Sequence, residues 1–455
     1  MTAPIMEART LRPFPQRCRA CGSTFEPEPI AICRACLGPL EPLYPAERVL
    51  PDRAAIAARP PSLWRYREWL PFEGTPELSL DTGFTPLVHA PRLARILGVA
   101  RAWVKHDGVS HPSLSFKDRV VTTAINAAHA FGLRTIGCAS TGNLANAVAA
   151  HAARAGLEAW IFVPEHLEAK KLVATSIYAP RTVRVRGHYD DVNRLCAQLA
   201  DRFGWGIVNV NLRGYYGEGS KTMAYEIAEQ LGWRTPTAVI APMAGGSLVT
   251  KLSRGFGEFL DAGLTDGAPP RIYGAQAAGC APIVHLVERG DDRVVPEVPH
   301  TIAHSIAIGN PADGVFAARV LRESGGWAQA VSDAELVDGI ALLAETAGVF
   351  TETAGGVTVA AALALSARGH LRADDEVVLC ITGNGLKTTA AARAALADTP
   401  VVAPRVREVA ALVARAESER DAGGPAAERE SARTEAAPHT AGAASHARDE
   451  VTDVR

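Results

Sequence analysis

A lysine at the start of a predicted helix is the residue of this sequence best suited to covalent chemistry. Lys117 lies in the segment SFKDR (residues 115–119), in which Ser115 and Asp118 form a Ser-x-x-Asp capping pattern. The positive end of a helix dipole disfavours a cation, so this amine tends towards its neutral, nucleophilic form or towards a Schiff base with an aldehyde. The alternative is an ordinary surface lysine, which this segment alone leaves open.

Three further segments carry groups that bind anions or offer hydroxyls, and each follows a predicted strand. The segment ASTGN (residues 139–143) places hydroxyls and amides at a helix N-terminus, which suits a carboxylate or a phosphate. The glycines of PMAGGSL (residues 242–248) allow the backbone to approach a phosphate, and successive N–H groups can form a nest around it. The segment TGNGLK (residues 382–387) presents the hydroxyl of Thr382. Taken singly, each segment is also compatible with a plain helix cap or turn.

Together the four segments describe a pocket for pyridoxal phosphate, whose aldehyde, phosphate, phenolic oxygen and ring nitrogen need such partners. We expect Lys117 to carry the cofactor, the backbone amides of residues 245–248 to cradle its phosphate, Asn143 to face the phenolic oxygen and Thr382 to face the ring nitrogen. A hydroxyl at the ring nitrogen does not enforce a protonated pyridinium, which suits elimination and replacement more than transamination. The predicted cofactor-binding residues are Lys117, Phe116, Asn143, Gly245, Gly246, Ser247, Leu248 and Thr382.

Two Cys-x-x-Cys knuckles lie near the N-terminus, separated by the eleven residues 22–32, which is slightly shorter than the commonest spacing of a metal ribbon. Each knuckle brings two thiolates close enough to share one tetrahedral ion, so the pair predicts a four-cysteine zinc site. Four thiolates fill the coordination sphere and leave no position for water, so such a zinc ion would be structural. The alternative is a metal-free, vestigial hairpin. The four predicted ligands are Cys18, Cys21, Cys33 and Cys36.

The elements that must position these segments alternate between strand and helix from about residue 86 onwards. This alternation predicts an α/β fold with open, mostly parallel sheets. In such sheets ligands bind outside the carboxyl ends of the strands, where loops lead into helix N-termini. The predicted strands are 102–105, 135–139, 160–163, 207–212, 238–240 and 377–381, and the predicted helices are 115–131, 143–154 and 221–231.

Composition divides the chain into three parts. We expect a zinc-ribbon-like extension over residues 1–45, a catalytic region over residues 46–400 and a mostly disordered tail over residues 401–455. Beyond about Glu417 the tail offers too little apolar surface to offset the entropy lost on ordering. We assign no chemistry to it.

Charge and hydropathy argue against two classes of partner. The sequence has 47 Lys and Arg against 49 Asp and Glu, a formal net charge of -2, so there is no basic excess to hold a nucleic acid. No apolar run approaches the roughly 20 residues that a membrane helix needs, and the first residues lack the apolar core of a signal peptide. We therefore expect a cytoplasmic protein with neither a nucleic-acid nor a membrane partner.

With its upstream proline, the SFKDR segment resembles the cofactor-lysine motif of the fold-type II pyridoxal phosphate enzymes, the tryptophan synthase β-like family. Within that family the blocks NVNLRGYYGEGSKTMAYEIAEQLG (residues 209–232) and TIAHSIAIGNP (residues 301–311) are similar to those of threonine synthases. The resemblance implies two domains, with a smaller α/β subdomain of about residues 118–225 inserted in the larger one. One segment departs from the family's usual Asn-Pro-Thr-Gly, because here it reads His111-Pro112-Ser113-Leu114.

The resemblance implies a lyase of threonine biosynthesis that converts O-phospho-L-homoserine and water to L-threonine and phosphate. A substrate phosphate needs cationic or multiple N–H partners, because an unpaired phosphate in a water-poor cleft would be very costly. We expect such groups to surround the substrate phosphate. We also expect the chain to assemble as a homodimer. Two alternatives stay open: another elimination or β-replacement enzyme, such as a threonine or serine dehydratase or a phosphoserine-using synthase, and a non-catalytic zinc-ribbon binding protein. The predicted substrate-binding residues are Ser140, Thr141, Gly142, Arg213 and Lys221.

Overall fold

The computed structural model describes residues 11–421 except 75, 77, 79, 166, 168–171, 188 and 394–398. Within this part of the chain, fifteen β-strands form four sheets. In chain order the strands are β1 (Arg12–Pro13), β2 (Gln16–Cys18), β3 (Thr24–Phe25), β4 (Leu40–Pro42), β5 (Phe72–Glu73), β6 (Leu87–His89), β7 (Arg101–His106), β8 (Thr135–Ala139), β9 (Glu158–Pro164), β10 (Arg181–Val185), β11 (Gly206–Ile207), β12 (Ala238–Pro242), β13 (Arg271–Ala277), β14 (Ala328–Val331) and β15 (Glu376–Ile381).

Fourteen α-helices accompany these strands in the described ranges. None of the helices in the described ranges is both long enough and apolar enough to cross a membrane. In chain order they are α1 (Arg53–Ala57), α2 (Pro91–Leu97), α3 (Lys117–Ala130), α4 (Asn143–Ala155), α5 (Val173–Ser176), α6 (Tyr189–Phe203), α7 (Arg213–Glu218), α8 (Thr222–Gln230), α9 (Ser247–Asp261), α10 (Pro282–Arg289), α11 (Gly314–Glu323), α12 (Asp333–Ala347), α13 (Thr353–Ala367) and α14 (Val406–Asp421).

The larger sheet has six strands in the order β14-β13-β12-β15-β7-β6. Its pairings are parallel except that of β6 with β7 at one edge. Strands β12 and β15 are buried along their whole length, as expected for parallel strands that are covered on both faces. The sheet confirms the predicted mostly parallel α/β architecture.

The smaller sheet has four parallel strands in the order β10-β9-β8-β11. One predicted strand is wrong, because β11 ends at Ile207 instead of continuing over residues 207–212. The side chain of Asn211 turns the chain at this point: its carbonyl oxygen accepts a hydrogen bond from the Ile207 N–H at 2.7 Å, and its amide donates to the Trp205 carbonyl at 3.0 Å. Arg213 therefore begins helix α7 and does not end a strand.

Helix α3 begins at Lys117, two residues later than predicted. Ser115 does not cap it, since the Ser115 backbone forms an isolated β-bridge with Gly383. The other half of the predicted capping pattern is present, because the Asp118 carboxylate accepts a hydrogen bond from the Ser115 N–H at 3.5 Å, and it also accepts one from the Ser113 N–H at 3.0 Å. The lysine is thus in the first turn of the helix, as predicted, although the cap differs.

The N-terminal cysteine region folds as a three-stranded antiparallel sheet in the order β3-β2-β4. Among the described residues its buried apolar core consists of Cys18, Cys33 and Leu40, with Phe25 and Ile30 packed against them. So small a core rarely holds a sheet together without a further staple such as a metal ion. The architecture is that of the predicted ribbon-like extension.

The predicted tail lies mostly outside the described residues, which end at position 421. Helix α14 (Val406–Asp421) is the described part of it and runs past Glu417, where we expected order to end. Three valines of this helix are exposed: Val406, Val409 and Val413.

A fully buried charge cluster joins helices α3 and α8 to the end of β7. The Arg119 guanidinium donates to Asp107 at 2.6 and 2.8 Å and to Glu226 at 2.5 and 2.7 Å. The Lys105 amine lies 2.6 Å from the Glu226 carboxylate. Burial alone raises the pKa of Glu226, but the two cations outweigh burial and lower this pKa to about 2.

We expect this cluster to make the protein less stable as the pH falls below about 4.5. A carboxyl group whose pKa is depressed by folding contributes stability above its unfolded pKa and loses it as the pH falls through the folded value. For Glu226 the window runs from 4.5 to about 2, and the loss amounts to about 3 kcal/mol of unfolding free energy. Urea unfolding over this range should reveal the slope. Glu226→Gln should be less stable at neutral pH yet have a flatter slope; an unchanged slope would mean that other carboxyl groups cause it.

Candidate active site

Lys117 lies at the carboxyl edge of the larger sheet, next to the predicted hydroxyl segment. Strand β15 ends at Ile381, and the carbonyl of the following residue, Thr382, accepts a hydrogen bond from the Phe116 N–H at 2.8 Å. The Lys117 amine lies 5.6 Å from the centroid of the Phe116 ring and 6.0 Å from that of Tyr216. The structure therefore brings the first and fourth predicted segments side by side.

Asn143 is hydrogen-bonded to Glu352, which lies beside the Thr382 segment and was not among the predicted site residues. The Asn143 amide nitrogen donates to both carboxylate oxygens of Glu352, at 2.8 and 2.9 Å. Glu352 is 2% exposed, and burial raises its pKa, while the Asn143 hydrogen bond and the charges of Lys387 and Lys117 oppose that rise. A buried carboxyl group with a raised pKa beside a reactive amine is a group that can hold a proton.

Glu352 was missed because its contacts are distant in the sequence. It precedes helix α13 as its N-cap residue, and its N–H donates to the Gly383 carbonyl at 3.2 Å. Gly383 has no room for a side chain, since a Cβ atom there would collide with the Glu352 carboxylate. The local signal is weak: one acidic residue ahead of an alanine- and glycine-rich helix.

The glycine segment after β12 forms a bend that leads into helix α9. Gly246 adopts a φ of 93°, and a Cβ atom on it would lie 2.9 Å from the Asp313 carbonyl oxygen, so both conformation and space require glycine. The first N–H groups of a helix have no intrahelical acceptor. The amides of Ser247 and Leu248 are therefore available to an anion.

Helix α7 links this bend to the lysine. Tyr216 of that helix lies near Lys117, and a Cβ atom placed on the next residue, Gly217, would be 3.8 Å from the Ser247 hydroxyl. These contacts bring together the Lys117 amine, the free amides at the start of α9 and the Thr382 segment, and the region that these three border is called the cleft below. This donor set fits the aldehyde, the phosphate and the ring nitrogen of pyridoxal phosphate.

The predicted substrate loop, residues 140–142, borders the same cleft between β8 and α4. The Gly142 N–H donates to the Ser140 hydroxyl at 3.3 Å. Ser140, Thr141 and Gly142 are half-buried, and a Cβ atom on Gly142 would have open space around it. The loop therefore leaves room for a ligand beside Asn143.

The two predicted substrate cations have different surroundings. Arg213 is 33% exposed and donates to the Asp313 carboxylate at 2.5 Å. Lys221 is fully buried, with its amine 2.8 Å from Glu218 and 2.9 Å from Glu258. This placement corrects the prediction for Lys221, because two carboxylates neutralise its charge and no part of it is exposed to a ligand.

The segment His111-Pro112-Ser113-Leu114 departs from the family pattern, but its last residue has a backbone conformation typical of the glycine that is usual there. Leu114 adopts a φ of 59°, the left-handed conformation that favours glycine, and glycine is the usual family residue at this position. The Leu114 carbonyl accepts a hydrogen bond from the Asn384 N–H at 3.2 Å. The side chain of Leu114 is 38% exposed. The departure therefore introduces an exposed side chain at a position that keeps a backbone conformation favoured by glycine.

The four cysteine sulfurs lie close enough together to bind a single metal ion. All four lie within 4.8 Å of one another, with Cys18 and Cys36 3.5 Å apart and Cys21 and Cys33 3.7 Å apart. Thiolates bound to one zinc ion at about 2.3 Å would be separated by about 3.8 Å. The donor set therefore fits one structural zinc ion.

We expect about one zinc ion per chain in protein purified without a chelator. Replacing Cys33, a buried member of the four, with serine should release the metal and destabilise the ribbon. The matched control is Cys138→Ser, since Cys138 is a buried thiol of β8, outside the ribbon. Metal analysis by mass spectrometry measures both. Wild-type protein without metal would favour the metal-free hairpin.

The sequence of most of the chain is similar to members of one enzyme family. Residues 78–383 match the family described as pyridoxal-phosphate dependent enzyme. The threonine synthase of Methanocaldococcus jannaschii is 35% identical over 383 residues, which cover 83% of this chain and 94% of that protein. The threonine synthase of Methanosarcina acetivorans is 34% identical, over 82% of this chain and 91% of that one.

Solved structures share the fold at lower sequence identity. A fungal L-serine ammonia-lyase from Rhizomucor miehei superposes with a TM-score of 0.56 at 23% identity, over 67% of this chain and 94% of that chain. Threonine deaminase isoform 2 from Solanum lycopersicum has a TM-score of 0.57 at 21% identity, over 66% of this chain and 79% of that chain. At such identities the likeness concerns the fold alone.

Proposed function

The chain belongs to the pyridoxal-phosphate dependent enzymes and, within them, to the threonine synthases, and from this premise we propose that it converts O-phospho-L-homoserine and water to L-threonine and phosphate. The observation that carries the proposal is the convergence of Lys117, the Asn143–Glu352 pair and the Thr382 segment on one cleft. Pyridoxal phosphate supplies an electron sink for the carbanion that forms beside the substrate's amino group.

Lys117 is the proposed attachment point of the cofactor and the group that moves protons. When it is not bonded to the cofactor, the lysine amine would be free to take and return protons at the α, β and γ carbons of the substrate. The rings of Phe116 and Tyr216 lie next to this amine, with centroids at 5.6 and 6.0 Å. The first turn of α3 fixes its position.

The amides at the start of α9 are proposed to hold the cofactor phosphate, with Gly246 allowing the close approach. Thr382 is proposed to lie at the ring nitrogen. The Asn143 amide nitrogen is already engaged by Glu352, so the phenolic oxygen would share that nitrogen with the carboxyl group. Glu352 thereby fixes the orientation of Asn143 and is a second proton-holding group near Lys117.

The substrate phosphate is proposed to bind the loop of residues 140–142 together with Arg213. The loop contributes hydroxyls and a helix N-terminus, and Arg213 contributes a guanidinium that is a third exposed. Asp313 holds that guanidinium in place but also offsets part of its charge. A phosphate can still use the donors that Asp313 leaves unused, since a guanidinium has five.

Steady-state product analysis with purified protein tests the proposed function. O-phospho-L-homoserine should yield threonine and inorganic phosphate in equal amounts, at a kcat/KM well above those for L-threonine and O-phosphoserine. If L-threonine were instead the better substrate and released ammonia, the dehydratase alternative would replace this one. If no amino acid reacted and no cofactor bound, the binding-protein alternative would gain.

We expect Arg213→Ala to raise KM for phosphohomoserine about tenfold, the size of one lost charge-assisted contact. Any slow reaction with unphosphorylated threonine should be unaffected. The control is Arg181→Ala, which removes an exposed arginine paired with Glu158 at 2.6 Å. Equal damage to both reactions would refute the phosphate-binding role of Arg213.

We propose that the four cysteines bind a structural zinc ion, that the chain forms a homodimer and that it acts in the cytoplasm. The geometry of the sulfurs supports the first.

A further inference from the structure

Arg19 lies inside the first cysteine knuckle, between Cys18 and Cys21. Its guanidinium lies 3.9 Å from Glu41 of the ribbon and extends beyond the ribbon to Asp313. Its guanidinium donates to the Asp313 carboxylate at 3.3 Å, and its Cζ atom lies 3.7 Å from the centroid of the Phe316 ring. The side chain is 21% exposed. The metal ribbon therefore contacts helix α11 and the residue that precedes it.

Asp313 is joined by its backbone to the bend that is proposed to bind the cofactor phosphate. Its N–H donates to the Gly245 carbonyl at 2.9 Å, and its own carbonyl oxygen lies where a Cβ atom on Gly246 would meet it at 2.9 Å. Its second carboxylate oxygen accepts from Arg213 at 2.5 Å. A displacement of Asp313 would thus disturb the phosphate bend and the proposed substrate cation together.

The knuckle fixes the backbone from which the Arg19 side chain extends. The Arg19 N–H donates to the Pro39 carbonyl at 3.0 Å. The N–H groups of Ala20 and Cys21 point to the Cys18 sulfur at 3.4 and 3.5 Å. A metal bound by the four sulfurs would hold this turn rigid, and its loss would release it.

A second contact joins the ribbon to the other side of the same bend. Glu41 of strand β4 accepts a hydrogen bond from Arg254 of helix α9 at 2.9 Å, and α9 begins with the amides proposed to bind the phosphate. The ribbon therefore contacts both Asp313, which is bonded to the bend of residues 245–248, and helix α9, which follows that bend.

We propose that Arg19 is a positioning residue that couples the metal-bound ribbon to the cofactor site. The ribbon presents Arg19 to Asp313, and Asp313 holds residues 245–248 in the shape that binds a phosphate. This inference rests on the proposed cofactor and zinc sites. It gives the extension a role in the affinity for cofactor beyond its own folding.

The second knuckle provides a matched control within the same chain. Both knuckles read Cys-Arg-Ala-Cys, and Arg34 occupies in the second the position that Arg19 occupies in the first. Arg34 is 64% exposed and pairs with Glu28 of the ribbon itself at 2.6 Å. Replacing Arg34 removes the same kind of side chain from the same kind of turn without touching Asp313.

Titration of metal-loaded, cofactor-free protein with pyridoxal phosphate tests the coupling. Arg19→Ala should raise the dissociation constant about fivefold, the size of one partly exposed ion pair, and Arg19→Lys should recover part of the loss. Arg34→Ala should bind as the wild type does. The ³¹P resonance of the bound cofactor should shift in Arg19→Ala and not in Arg34→Ala. Chelation of the metal should weaken binding in the wild type and add little in Arg19→Ala.

Metal content is measured in each variant, so that loss of zinc is not mistaken for loss of Arg19. The coupling would be overturned by an unchanged dissociation constant and ³¹P resonance in Arg19→Ala, or by an equal loss in Arg34→Ala. The variant Gly246→Ala distinguishes an error in the proposed phosphate site from an error in the coupling alone. If it binds the cofactor normally, the proposed phosphate site is wrong; if it binds weakly while Arg19→Ala does not, the coupling alone is wrong.

Discussion

Replacing Lys117 with alanine is expected to lower kcat with phosphohomoserine by about 10³-fold or more, because the variant loses both the attachment point of the cofactor and the amine that moves protons. Added alkylamines should restore part of the rate. In the wild type, reduction with borohydride followed by peptide mapping should place the cofactor on Lys117.

Lys387 is the matched control for this prediction. It is half-buried near Glu352, and burial lowers its pKa, so it would be the favoured lysine if the cofactor reacted with any accessible amine in the cleft. Label on Lys387, or near-normal activity of Lys117→Ala, would contradict the assignment.

Replacing Lys221 with alanine is expected to destabilise the protein by about 3–5 kcal/mol, since it leaves buried carboxylates without a cation. Glu218 would still pair with Lys251, and Glu258 would still pair with Arg254 at 3.0 Å. Each carboxylate would nevertheless lose one of its two cationic partners. Burial lowers the pKa of Lys221, although the two carboxylates oppose this. Urea denaturation at neutral pH measures the loss.

Arg213→Ala provides the contrast, because Arg213 is also paired with an acid but is a third exposed. Its loss should cost at most about 1 kcal/mol of unfolding free energy. The double variant Lys221→Met/Glu258→Gln should recover part of the stability that Lys221→Ala loses. If Lys221→Ala were stable and had a selectively raised KM for phosphohomoserine, Lys221 would bind the substrate, contrary to its burial in the structure.

The sequence predicted the elements best where their signals are local. Strand β8 was predicted over 135–139 and has those bounds, and helix α4 was predicted over 143–154 and ends one residue later. Apolar periodicity and a terminal glycine, here Gly156 with a φ of 66°, depend on neighbouring residues only. Segments that lead into such helices could therefore be assigned to one edge of the sheet.

The failures occurred where a side chain or a distant segment decides the conformation. The alternating residues 207–212 have a strand-like pattern, but the hydrogen bonds of Asn211 turn the chain instead. Ser115 was expected to cap α3, but its backbone pairs with Gly383, far along the chain. Glu352 and the burial of Lys221 depend on contacts across the whole fold, which no local pattern records.

The route taken by the oxygen of water tests the central claim most directly. The claim is that the C–O bond at the γ carbon breaks, phosphate leaves, and water adds at the β carbon. With phosphohomoserine in H₂¹⁸O, mass spectrometry should find one ¹⁸O atom in the hydroxyl of threonine and none in the phosphate. Labelled phosphate accompanied by homoserine would reveal P–O cleavage, and unlabelled phosphate accompanied by 2-oxobutanoate and ammonia would reveal elimination without addition; either result would contradict the account.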